Sequence, residues 1–87
     1  MKIEQLIHEL EEQDDPRFKN IANHMGKMAE RFESGQITED DFKIKVETLV
    51  NLLEIYGLKE KTKYKVAAQM VEDLIVTIAV KGVVSLF

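Results

Sequence analysis

The chain of 87 residues has no cysteine and no tryptophan, and it contains only one proline and four glycines. Without cysteine it can form no disulfide bond, no thiolate nucleophile and no thiolate zinc site. Its first residues, MKIEQLIHELEEQ, carry acids where a signal peptide has its apolar core. These absences together predict a protein of a reducing compartment, and we expect it in the cytoplasm.

The chain also lacks an excess of positive charge and a long apolar run. Sixteen Asp and Glu residues outnumber twelve Lys and Arg residues, which gives a formal net charge of −4. This balance disfavours non-specific binding of nucleic acid or of acidic membranes. The most apolar segment, Leu74–Phe87, is interrupted by Lys81 and Gly82 and is shorter than the roughly 20 apolar residues of a membrane span. We therefore expect no membrane partner.

Hydrophobic periodicity and helix-end signals predict one all-α domain, 1–87, folded as a small bundle of about four antiparallel helices. Asp15-Pro16 is typical of a helix start, Thr38 is a candidate N-cap, and Gly57 supplies a left-handed helix stop. The fourth helix has a weaker start, for which Thr62 is one candidate cap. The predicted helices cover residues 2–13, 16–34, 39–56 and 60–81.

The third and fourth predicted helices carry more apolar residues than one seam requires. In the third, Val50, Leu52 and Ile55 widen the apolar face around the seam. In the fourth, Asp73 and Thr77 belong to a polar series that recurs every four positions and forms one narrow strip. Since a helix that is apolar around most of its circumference is buried on several sides, we expect protein to surround the fourth helix almost completely.

The apolar tail, Val83–Phe87, must also find cover, either on its own bundle or in a second subunit. A domain of this size buries only about 60–65% of its extended surface, and small proteins with excess apolar faces commonly close as two-fold dimers. We therefore predict a homodimer that uses the fourth helix and the tail. The predicted interface residues are Val76, Ile78, Val80, Val83, Val84, Leu86 and Phe87.

No pattern marks a catalytic, cofactor-binding or metal site. Glu4, His8 and Glu12 share one face of the first helix, but a metal site needs ligands from a second helix. Neither serine has a base marked nearby, which excludes a nucleophilic triad. We predict a non-enzymatic protein, without cofactor, that acts by binding another protein. Its size and charge suit the regulatory, inhibitory or scaffold roles of proteins encoded by phages and mobile elements.

One alternative is a magnesium-dependent enzyme. The segment AAQMVEDLIVTIAVKGV resembles the closing helix of the all-α nucleotide pyrophosphatases, the MazG-like and phosphoribosyl-ATP pyrophosphohydrolase group. The resemblance implies a helical oligomer that holds Mg²⁺ with a Glu-x-x-Glu pair on one helix and a Glu-x-x-Asp pair on another. Glu30 and Glu33 have the first spacing, but the second pair is incomplete because Asp73 has Met70 at its partner position.

A second alternative is docking of the tail on a replication protein. Val83–Phe87 is similar to the Gln-Leu-Ser/Asp-Leu-Phe peptide by which many bacterial and phage replication proteins bind DNA sliding clamps. Its last three residues match, Val84 stands in place of Leu, and Val83 replaces the Gln. The resemblance implies a sliding-clamp partner that accepts the tail as an extended peptide.

A third alternative, a DNA-binding regulator, depends on the basic run KEKTKYK. Lys59, Lys61, Lys63 and Lys65 occupy alternate positions, so they do not line up along one helix face. Together with the acidic balance of the chain, this spacing favours a solvated loop and helix start over a nucleic-acid surface.

Overall fold

The computed structural model describes residues 2–87, and within that range helices are the only regular secondary structure, without a strand. The four predicted helices and the all-α class are confirmed; Met1, which the predicted domain includes, lies outside the described residues. The helices are α1 (Lys2–Glu11), α2 (Pro16–Glu33), α3 (Glu39–Ile55) and α4 (Lys65–Lys81), and two 3-10 turns cover Thr62–Tyr64 and Val83–Leu86.

The ends of α2 and α3 follow the signals read from the sequence. A carboxylate oxygen of Asp15 accepts the backbone N–H of Arg17 at 2.9 Å, with Pro16 at the first helical position. The hydroxyl of Thr38 accepts the backbone N–H of Asp41 at 3.1 Å, which caps α3. Gly57 has φ 86° and ends α3 in a Schellman motif, in which Leu58 donates its N–H to the carbonyl of Leu53.

The predicted helix limits need correction, chiefly for α4. α1 ends at Glu11 instead of residue 13, whereas α2 and α3 each end one residue early because Ser34 and Tyr56 are C-caps. α4 begins at Lys65, five residues later than predicted, and Thr62 does not cap it.

The late start of α4 coincides with a tertiary contact. The Tyr64 ring packs edge-on against Phe18 with ring centroids 4.7 Å apart, which fixes the chain just before the helix. The side chain of Tyr64, the residue at the N-cap, makes no capping hydrogen bond. The start of α4 therefore coincides with a 3-10 turn and a contact with α2, and not with a local capping signal.

Neighbouring helices run antiparallel around one apolar core. The start of α2 lies beside the end of α3, since the Arg17 guanidinium is 4.8 Å from the Tyr56 ring centroid. The start of α3 lies beside the end of α4, since the Phe42 and Phe87 rings are 5.6 Å apart. α1 packs against both α2 and α4. α3 and α4 make few direct contacts, and the turn Val83–Leu86 bridges them at one end.

The buried residues of α2 and α4 recur at helical spacing. Phe18, Ile21 and Met25 of α2 are buried. In α4 and the residue before it, the buried residues follow each other at steps of three or four: Tyr64, Ala67, Val71, Leu74 and Ile78. None of the helices in the described part of the chain has the length and hydropathy that a bilayer span requires.

Candidate interaction surface

The second half of α4 exposes apolar side chains on its solvent side. Between Leu74 and Val80 every exposed residue is apolar, namely Ile75, Val76, Ala79 and Val80. Val76 is 60% exposed and Val80 is 74% exposed. We call these four residues the α4 face. The first half of the helix is different, because its exposed residues are polar apart from Val66.

Thr77 of α4 is buried although it belongs to the polar series read from the sequence. Its hydroxyl donates to the carbonyl of Asp73 at 2.8 Å, which satisfies this polar group within the helix and allows its burial. Thr77 is only 7% exposed, whereas Val76 and Val80 lie on the solvent side. The expectation that protein surrounds α4 almost completely is therefore not met within a single chain.

The tail lies against its own bundle. Gly82, at φ 83°, turns the chain into a 3-10 turn in which Val83 and Leu86 are buried. The Phe87 ring is 5.6 Å from both Phe32 and Phe42, which stack on each other at 4.8 Å. In this conformation the tail is not an extended peptide, and its apolar anchors already have partners.

The structure thus divides the predicted interface residues into two groups. Val76, Val80 and Val84 are 58–74% exposed and free to contact another molecule. Ile78, Val83 and Leu86 belong to the core of their own chain, and Phe87 is partly buried beside them. Of the predicted interface residues, the exposed group is the one that another molecule can reach without a change in the fold.

A groove of about 310 Å³ separates α3 from α4 next to the α4 face. Its floor is apolar and its α3 rim is polar, with one cation, one carboxylate and one amide. Ile75 and Ala79 line it, so the α4 face continues into the groove. The lining residues are Lys43, Val46, Glu47, Val50, Asn51, Leu74, Ile75, Ile78 and Ala79.

A second groove, of about 440 Å³, lies between α2 and α3 and was not predicted from the sequence. Ile44 borders it and is 61% exposed. Ile55, which the sequence reading placed on the widened apolar face of α3, is 74% exposed. The spacing of Ile44, Thr48 and Ile55 would have indicated this surface, because it puts the three residues on one outward stripe of α3.

The carboxylates and histidines form no metal-binding group of three or more within residues 2–87. Glu30 and Glu33 are exposed on α2, and Asp73 is exposed on α4. The Nε2 atom of His8 lies 3.0 Å from the Oε1 atom of Glu12, which follows it by four positions, and both side chains are exposed.

The four lysines of the basic run are exposed, and two of them contact other residues of the same chain. Lys59 pairs with Glu54 at 3.0 Å. The Lys63 ammonium lies 4.9 Å from the centroid of the Tyr64 ring. Lys59 and Lys61 precede the 3-10 turn, Lys63 lies in it and Lys65 begins α4, so the four lysines form no charged face on a single helix.

Among the titratable residues that the structure describes, Asp15 and Arg17 have shifted pKa values, and they form one ion pair at the start of α2. The Arg17 guanidinium donates to both carboxylate oxygens of Asp15, with a shortest distance of 2.7 Å. This hydrogen bonding, followed by that of the Arg17 backbone N–H, lowers the pKa of Asp15 from its usual 3.8 to about 2. The same pair raises the pKa of Arg17. The Arg17 side chain is therefore the main cause of the lowered pKa, and the N-cap hydrogen bond of α2 adds to it.

Comparison with known proteins returned no match: no protein-family model fits the sequence, and no curated protein or solved structure is significantly similar to it.

Proposed function

We propose that this chain is a non-enzymatic interaction protein that forms a homodimer through the α4 face and acts by binding another protein. The observation that carries the proposal is the uninterrupted apolar surface on the second half of α4. We further propose a cytoplasmic, regulatory, inhibitory or scaffold role, on the grounds of the missing cysteine, the small size and the acidic charge.

The physical argument for self-association starts from the free energy of exposed apolar surface. Removing apolar surface from water is favourable by about 25 cal/mol per Å² before the costs of association, and monomeric proteins rarely expose contiguous apolar patches larger than a few hundred Å². Ala79 lies between the larger residues of the α4 face, so that a second helix can approach closely there. A two-fold axis beside α4 would bury the face of both copies at once, because one patch then serves as its own partner.

Charge substitutions on α4 test the proposal. Val76→Glu and Val80→Glu place carboxylates on the α4 face, and we expect either to convert a dimer to a monomer in light scattering. Val66→Glu is the matched control, because Val66 is 57% exposed on the same helix but outside the face. A wild-type protein that is monomeric at high concentration, or a Val76→Glu variant that keeps the dimer mass, would contradict dimerisation.

A further inference from the structure

The α2–α3 groove combines an apolar interior with an open mouth. Met28, Leu49 and Leu52 are partly buried against the core, which leaves part of each side chain exposed to the groove. Ile44 stands at the edge with 61% of its surface exposed. The lining residues are His24, Met28, Ile44, Lys45, Thr48, Leu49 and Leu52.

Thr48, one of the polar residues that line the groove, presents little polar surface to a partner. The hydroxyl of Thr48 donates to the carbonyl of Ile44 at 2.9 Å, one turn back on α3. That hydrogen bond occupies the donor within the helix, so Thr48 offers a partner chiefly its methyl group. Ile44, Thr48 and Leu52, at steps of four residues, therefore form an apolar edge along α3.

The charge around this groove is opposite in sign to that of the whole chain. No carboxylate lines it, and Lys45 is its one formally charged lining residue. On α2, Arg31 and Glu30 both lie outside this lining. The nearest acid on this flank of α3 is Asp41, one turn before Lys45 and outside the lining.

These features together select one kind of occupant. An amphipathic helix binds such a groove with apolar anchors at i, i+3 or i+4, and i+7, and methionine adapts to the shape of those anchors. A carboxylate beside the anchors would meet Lys45, with no acidic lining residue to repel it.

We propose that the α2–α3 groove binds an amphipathic helix of a partner protein whose apolar stripe is flanked by acidic residues. The inference rests on the proposed function, for which it supplies the partner site and the chemistry of the partner. It concerns a surface distinct from the α4 face, so that dimerisation and partner binding use different residues.

Selection from a displayed library of helical peptides tests the groove with the full-length chain. The bait is the Val80→Glu variant, which removes the α4 face as a competing site, and Ile44→Glu combined with Val80→Glu is the counter-selection bait. We expect enriched peptides to have an apolar stripe with Asp or Glu beside it. Enrichment of basic or uncharged flanks, or no enrichment over the counter-selection bait, would overturn the proposal.

Affinities of one selected peptide then separate the contributions of shape and charge. Ile44→Glu should weaken binding at least about tenfold by placing a charge at an apolar anchor site. Lys45→Glu should weaken it about fivefold and reduce its dependence on salt, since exposed ion pairs contribute modestly. Ile55→Glu, on the same outward stripe but outside the groove lining, is the control and should bind as the parent does.

Two outcomes distinguish failure of the groove proposal from failure of the proposed homodimer. Unchanged peptide binding in Ile44→Glu contradicts the groove assignment even if Val80→Glu has become monomeric. If Ile44→Glu itself prevents self-association, and associates again when mixed with Val80→Glu, then the groove holds α4 of a second copy. That result would overturn a separate partner helix. Thermal melting of each variant verifies that these exposed substitutions leave the fold intact.

Discussion

Gly26 and Gly57 differ in the backbone conformation that their positions require. Gly57 has φ 86°, which an L-residue adopts only with strain, whereas Gly26 lies inside α2 with helical geometry. Neither position is crowded, because a Cβ at Gly57 would come no closer than 3.9 Å to Lys61 and one at Gly26 would have no neighbour within 4 Å. Backbone conformation should therefore decide the sign of each alanine substitution.

We expect Gly57→Ala to destabilise the protein by about 1–2 kcal/mol and Gly26→Ala to stabilise it by about 0.5–1 kcal/mol. The first value is the cost of a left-handed Ala, and the second is the helix propensity that Gly lacks. Urea unfolding of both variants measures the two free energies of unfolding. Shifts of the same sign would show that α3 does not end in the left-handed Schellman conformation described for Gly57.

Asp15 gives a prediction for the dependence of stability on pH. Because the pKa of Asp15 is about 2 in the folded protein and about 3.9 in an unfolded chain, ionised Asp15 stabilises the fold above pH 4. That contribution is lost as the pH falls from about 4 to about 2. Asp15→Asn should lower the melting temperature at pH 7 but not at pH 2. Asp14→Asn leaves Asp15 in place and should keep the pH dependence of the wild type.

The tail is the element whose packing is most open to test. Leu86 is fully buried, so Leu86→Ala should cost about 2–5 kcal/mol of unfolding free energy. Val84, in the same turn, is 58% exposed, and Val84→Ala should change stability by less than about 0.5 kcal/mol. Denaturant unfolding compares the two. Equal, small effects would mean that the tail is not docked on the bundle in solution.

Elements with local signals could be predicted, and elements fixed by distant contacts could not. Thr38 and Gly57 act on neighbouring backbone groups, so the limits of α3 are readable within one residue. The start of α4 coincides with the contact of Tyr64 with Phe18, which lies 46 positions earlier in the chain. No local pattern carries that information, and the prediction placed the helix start five residues too early.

The exposure of apolar residues on the surface could also be predicted only in part from the sequence. Ile55 follows Leu53 by two positions, which places it about 160° away around the helix, yet a count of apolar residues assigns both to one face. The α4 face was predicted as apolar and covered, because periodicity shows that Val76 and Val80 are apolar but not whether anything packs on them. Exposure is a property of the assembled bundle, since it depends on where α1 and α3 stop covering α4.

At the scale of the whole molecule, the two apolar surfaces lie on different helix pairs. The α4 face adjoins the groove between α3 and α4, and the second groove lies between α2 and α3. The surfaces also differ in charge, because Glu47 borders the first groove whereas no carboxylate lines the second. A protein of this design can occupy the first surface with its own copy and still present the second.

Coupling of dimerisation to folding gives the last prediction. If the native chain dimerises and the unfolded chain does not, mass action stabilises the native state as concentration rises. Each tenfold increase contributes about 1.4 kcal/mol per dimer, or about 3 °C in melting temperature for a protein of this size. Wild type and Val66→Glu should show this rise in calorimetry between about 10 μM and about 1 mM, whereas Val80→Glu should melt at one temperature throughout. A wild-type melting temperature that is independent of concentration would count against the α4 face as a dimer interface, since unfolding would then release no second subunit.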